Sequence, residues 1–444
     1  MSMQIGARWL EAYPVSRGAK WESIADNATL AELELMVADL CLTRAEDTLT
    51  GGVRRHAVLA ANRLAEWLVW NWWRLCYEPR SSGKEQVPGW FEAHRMPNVG
   101  GGWLWPNVEF VSDGVRMRIS AKQTSVTAHQ PLRYLSSDHA IIPLISFEKS
   151  ADDFIEKVCE RLNDQRVAEA DLPLMWEELQ AERADPELTV YRRLEALLGF
   201  DPDECPEQLI VTLHHDAALL GQAAVEELAA GAGNAVISAS QLQEWAHSKG
   251  VASVKKDRLK WAGHEFRIDH QLAAWRNGVS AARTLRAQEK LDGHPITNRC
   301  LAEWFAVPIE LLESGNHKPE LAYELDWEGG QSRVLLRSKW ETGRRFELAR
   351  LLGDTLVQGT NERLHLATMQ NTYRQKFQRA FAAELLCPIE PLKDVLEGDY
   401  TDDAIQGAAD NFKVSPLMVT TQLVNNGVLH SDELNGLDQD LAVA

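Results

Sequence analysis

The chain has 444 residues, 45% apolar and 25% charged, with 46 basic and 65 acidic side chains and a formal net charge of -19. That is globular composition, with length for two or three separate cores. The acidic balance works against nonspecific attraction to nucleic acid or anionic lipid, and no apolar run reaches the length of a membrane span.

In chain order, residues 30–46 and 54–77 read as two helices. The second, ending RLAEWLVWNWWRLCYE, is apolar nearly all round and predicts a buried helix. A loop follows from Pro79 to Gly102. Residues 103–124 read as a hairpin, because Ser112-Asp113-Gly114 supplies a turn and Val115, Met117, Ile119 and Ala121 alternate with polar partners. Ala140–Phe147 reads as a further strand, and helical pattern resumes near Ala151. These elements predict a Trp-rich α+β domain over 1–165.

Residues 166–290 predict a helical domain. Asp185-Pro186 and Asp201-Pro202 start turns, and Glu207–Gly231 reads as one helix. Residues 291–398 predict a third domain. In it, Leu321–Trp327 and Ser332–Ser338 are two strands joined around Gly329-Gly330, followed by two helices. The tail, 399–444, has helix-turn-helix pattern. Asp402 is placed to cap its first helix, Ser415-Pro416 opens the second, and Asn426-Gly427 stops it. The fold class implied is α+β and predominantly helical.

The two helices of the third domain carry the most specific signal. The first contains RRFELARLLGD and the second RQKFQRAFAAELLCP. Their apolar scaffold, Phe346, Leu348, Ala349, Leu352 and Gly353, then Phe381, Ala382, Ala383, Leu385, Leu386 and Pro388, resembles the paired motif helices of the ImmA/IrrE family of zincin-type metallopeptidases. In that family the first helix usually reads F-T-L-A-H-E-L-G-H and the second E-x-x-A-N-x-F-A-A-x-L-L-M-P. Matching position by position puts Arg350 where the first ligand His would stand. Leu351 stands in place of the general-base Glu, Asp354 of the second His and Gln375 of the third-ligand Glu.

The chemistry of those replacements is direct. Residues four apart on a helix share a face, so two imidazoles there grip one zinc ion while the adjacent Glu activates its water. Arg350 is cationic, Leu351 takes no proton, Asp354 alone is too few ligands and Gln375 has no charge. The resemblance thus implies a zincin-like domain without a metal, a cofactor or a catalytic residue. Arg350 and Asp354, at i and i+4, are expected to pair across one turn, with Gln375 opposite them. His365, Glu362 and Cys387 lie nearby in sequence and are the alternative set for an active zinc endopeptidase with displaced ligands. The lone His365 is placed on or near a loop.

The family's active members resemble regulatory peptidases that cleave a partner repressor. What the resemblance implies here is an inactive protein-binding component in a mobile-element or phage-defence setting. A third reading is a DNA-binding regulator using the tail. Its second helix offers Thr420, Thr421, Gln422, Asn425 and Asn426 but no Lys or Arg to hold phosphate, which makes nucleic acid the weaker partner.

The remaining candidates have bland readings. Trp67, Trp70, Trp72, Trp73, Trp90, Trp103 and Trp105 form an expected Trp core rather than a stacking surface, with His94 the polar residue to watch among them. His214-His215-Asp216 are neighbours that point about 100° apart and cannot share a ligand. The six cysteines form no CxxC pair and the first residues lack a signal peptide's apolar core, which together suit a cytoplasmic protein without a membrane anchor.

Overall fold

The computed structural model describes residues 2–11, 21–80, 89–126, 129–232, 236–262, 266–314, 320–358 and 362–430. The fold is α+β and predominantly helical, as the sequence implies. The chain divides into two compact units, and the division falls between Ile210 and Val211. Residues 166–290, expected as one helical domain, are therefore shared between them. The helices Leu172–Ala184 and Pro186–Leu197 put Leu172, Trp176, Leu179 and Ala196 into the core of the first unit.

In the first unit, Met3–Trp9 pairs antiparallel with Leu30–Val37, which also pairs with Ala57–Ala60. The expected helix over 30–46 is thus a correction. LAELELMV is made of good helix formers, but Leu33, Leu35 and Val37 alternate inward and a full-length partner strand completes their ladder. The expected helix over 54–77 starts later and is broken, running Ala61–Trp70 and Trp72–Tyr77 around Asn71.

The hairpin is found as Val108–Ser112 and Arg116–Ala121. The Asp113 carboxylate accepts from the backbone N–H of Val115 and of Arg116 at its turn. A third strand, Asp138–Pro143, joins it. At Leu144, inside the expected strand 140–147, a helix begins and runs to Asp164. It buries Leu144, Phe147, Ala151, Phe154, Ile155, Val158 and Leu162 on one face. Residues 81–88 of the expected loop Pro79–Gly102 lie outside the described residues. The rest of that loop holds a short helix, Trp90–His94, and a 3-10 turn, Met96–Val99.

The Trp-rich core is largely as expected. Trp67, Trp72, Trp73, Trp90 and Trp105 are buried, and Trp72 lies 6.4 Å from Phe147 and 6.5 Å from Trp176 between ring centroids. Trp70 is the correction: it is 62% exposed, because it sits at the last position before the break at Asn71 and points away from the core. His94 is wholly buried. Its Nδ1 meets the Phe110 carbonyl and its Nε2 the Glu78 carboxylate, each at 3.0 Å, and its ring stacks on Trp90. Glu78 in turn holds Arg74, so His94 is a structural anchor.

In the second unit, four antiparallel strands lie in the order Val251–Val254, Gln331–Leu335, Ala322–Trp327, Leu364–Ala367. The first of these lies in a segment expected to be helical. The middle two are the expected pair, and Gly329 and Gly330 between them adopt φ of 72° and 73°, which only glycine takes without strain. The motif helices are Glu341–Gln358 and Tyr373–Leu386, and Ala274–Gln288 packs along the second. Close approach depends on two glycines. A Cβ on Gly278 would stand 2.5 Å from the Phe377 carbonyl oxygen, and one on Gly353 would stand 2.5 Å from the Phe381 ring.

The expected helix over Glu207–Gly231 is two helices, Glu207–Leu220 and Gln222–Ala230, broken at Gly221 with φ of 103°. Three short helices follow the second motif helix, Ile389–Leu396 before the expected tail and Asp402–Phe412 and Pro416–Asn425 within it. Thr401, not Asp402, caps the second, while Ser415 caps the third as expected. Among the described residues no helix is long and apolar enough to cross a membrane.

Candidate functional site

The first motif helix is oriented by the contact between Gly353 and Phe381, which brings its buried face against the start of the second motif helix. Thr372 caps that second helix by accepting from the Gln375 backbone N–H. The strand Leu364–Ala367 lies against the same face. Arg350, Leu351, Asp354 and Gln375 are all buried there. Leu351 joins the core, whereas the other three make hydrogen bonds.

Arg350 and Asp354 do not pair with each other. Arg350 donates through Nη2 to the Gln375 side-chain oxygen and to the Thr368 carbonyl, both at 2.5 Å. Asp354 has stronger partners. Its two oxygens accept from Arg374 Nε at 2.8 Å and Nη2 at 2.5 Å, a bidentate pair. The Asp354 Oδ2 also meets His365 Nδ1 at 2.8 Å. The expected i,i+4 pair fails because a fork-shaped donor from the neighbouring helix satisfies both carboxylate oxygens at once. Gln375 does lie across from Arg350, as expected.

His365 is also a correction. It is not on a loop but inside the strand Leu364–Ala367, opposite Glu324 in the register, and buried. Strand alternation turns it toward the first motif helix. Gln375 has two roles: its oxygen accepts from Arg350 and from the Thr368 N–H, and its Nε2 donates to the Leu366 carbonyl. Gln378 donates to the same carbonyl. A further acid, Glu227, accepts from Thr372 Oγ1 at 3.0 Å.

The electrostatics follow from burial. Desolvation lowers the Arg350 guanidinium to about 9, and the nearby charge of Arg379 pushes the same way. Burial pushes the Asp354 carboxyl up, but Arg374 and His365 outweigh it and hold it well below the usual carboxylate range. Burial raises Glu227, with Arg374 opposing. Two cationic donors, Arg350 Nε and Arg374 Nη1, are buried without a hydrogen-bond partner.

The alternative ligand set does not assemble. Glu362 lies against Gly221, and Cys387 is buried at the far end of the second motif helix, its thiol pushed up to about 12 by burial. Among the described residues no three His, Cys, Asp or Glu side chains come together as a metal-binding group. A fixed, hydrogen-bonded cluster of this kind can hold two helices and a strand together.

Sequence reasoning missed Arg374, Thr368, Thr372, Gln378 and Glu227. Only Arg374 had a signal, as the neighbour of Gln375 on the second motif helix. In the tail, Thr420 and Gln422 are buried, and Gln422 donates to the Cys387 carbonyl, so neither faces outward. His214 and His215 are exposed, and Asp216 accepts from the Ala239 N–H. No protein-family model matches this chain, and no curated protein or solved structure does.

Proposed function

We propose that this is a catalytically inactive protein of ImmA/IrrE peptidase-like form that acts by binding another protein, as a regulatory component. One observation carries the reading. Arg350 and Gln375, at the places of the first and third zinc ligands, meet directly at 2.5 Å. Their meeting supports the register in which the motifs were aligned, because a misaligned pair of helices has no reason to bring those two positions together. The occupants are a guanidinium and an amide, and Leu351 replaces the base. The proposal places the protein in a cytoplasmic, mobile-element or phage-defence setting, and the six unpaired cysteines are compatible with a reducing compartment.

The test has two parts. Elemental analysis of the purified chain is expected to find no stoichiometric zinc, and Arg350→His alone is expected to restore neither zinc nor proteolysis. About one zinc per chain would overturn the inactive reading in favour of the displaced-ligand peptidase. Affinity capture from the native cell should then return a specific protein, which the intact chain binds without cleaving.

A further inference from the structure

The two edges of the sheet in the second unit differ in burial and in what reaches their backbone. At one edge, Leu364–Ala367 is fully buried, and side chains bond the backbone at its end. Leu366 carbonyl accepts from Gln375 and Gln378, Thr368 carbonyl from Arg350, and Thr368 N–H donates to Gln375. At the other edge, Val251–Val254 pairs with Gln331–Leu335 on its inner side only. Among the described residues, no backbone group of Val251, Ala252, Ser253 or Val254 bonds outward. Val251, Ala252 and Val254 are partly exposed, whereas Ser253 is buried, its Oγ donating to the Phe305 carbonyl.

An open edge is a template for another strand. Its surroundings say which kind. Lys249 stands just before the strand, with Lys256 and Lys260 just after it. All three are exposed and carry no ion pair, with Asp257 the one acid among them. Their two basic neighbours are already matched inside the unit, Lys255 by Asp326 and Arg258 by Glu324. In a chain of net charge -19, unmatched lysines on both flanks of a bare strand edge form a local reversal of sign.

We infer that the edge Val251–Val254 receives an extended acidic segment of a partner protein, which adds to the sheet as a fifth strand. Backbone hydrogen bonds supply the alignment. Lys249 and Lys256 meet carboxylates at the two ends of a segment about 13 Å long, at roughly 3.3 Å per residue. A second copy of this chain is the wrong occupant, because antiparallel self-pairing would bring Lys249 of one against Lys256 of the other. This inference concerns a place separate from the Arg350 cluster and does not depend on the peptidase resemblance.

The test titrates a fluorescent eight-residue peptide of alternating Glu and Val into the full chain at low salt, beside its Lys-Val counterpart. Two further Glu-Val peptides carry N-methyl groups on alternate amides, one in each register. Strand addition predicts that the Glu-Val peptide binds, the Lys-Val peptide does not, and only one of the two methylated registers binds. The double variant Lys249→Glu/Lys256→Glu, altered only at exposed side chains, is expected to lose about tenfold for Glu-Val and to gain Lys-Val. Equal binding by both methylated registers would overturn strand addition. Equal binding of the Glu and Lys peptides would overturn the acidic partner, and failure of every peptide to bind would overturn the site.

Discussion

Replacing Asp354 by Asn removes one charge from the centre of the buried cluster while keeping side-chain size. In the parent, that carboxylate accepts two bonds from Arg374 and faces His365. The amide accepts through one oxygen only and turns an N–H toward donors. Arg374, itself buried, then loses its counter-charge. Breaking a buried pair by removing one partner costs about 3–5 kcal/mol. For a unit of this size that corresponds to a fall in Tm of roughly 6–20 °C, at about 2–4 °C per kcal/mol. The pH dependence has a definite sign. The native carboxyl lies below its unfolded value of about 3.9, so its contribution is complete above about pH 4 and is lost as pH falls through the lowered native value. Asp354→Asn should remove that part of the acid limb. The double variant Asp354→Leu/Arg374→Met removes both charges together and should recover most of the loss, to within about 2 kcal/mol of the parent. Guanidinium unfolding of the full chain measures both, with Asp354→Leu and Arg374→Met as the singles that close the double-mutant cycle. A single variant within about 1 kcal/mol of the parent, or a double variant losing the sum of the two singles, would refute the coupling.

Trp72→Ala should cost about 3–5 kcal/mol, because its indole is 1% exposed, whereas Trp70→Ala should stay within about 0.5 kcal/mol, and chemical denaturation separates the two. Gly278→Ala should cost about 1–3 kcal/mol or more, since the added methyl meets backbone of the second motif helix rather than a movable side chain; an unchanged midpoint would show that the helices can separate freely. Duplex DNA should bind weakly at physiological salt and without sequence preference, because Thr420 and Gln422 face inward and the tail's last helix carries no cation. A gel-shift assay giving nanomolar, sequence-selective affinity would show otherwise.

The elements legible in the sequence were those with punctuation. Gly329-Gly330, Ser112-Asp113-Gly114 and Ser415-Pro416 each need a particular backbone or cap, and each stands where it was expected. Leu30–Val37 was not legible, since its residues favour a helix in isolation and become a strand only because Met3–Trp9, far away in sequence, supplies the ladder. Within the candidate site, the meeting of Arg350 with Gln375 could be anticipated from the motif. The capture of Asp354 by Arg374 could not. Helical spacing places Arg350 near Asp354, and only the rotation of one helix against another decides which guanidinium reaches the carboxylate first. His365 was named but misplaced, because four buried residues, LHLA, are too short a run to separate strand from loop by period.

The double role of Gln375 bears on how this chain could change. A glutamate there would accept from Arg350 and Thr368 but could not donate to Leu366. Arg350→His would release the Thr368 carbonyl, and Asp354→His would strand Arg374. The steps at Arg350 and at Asp354 each leave a buried partner unmatched. The cluster couples its positions: a change at Arg350 or Asp354 alone leaves a neighbour's bond unmade, so these positions are expected to change together.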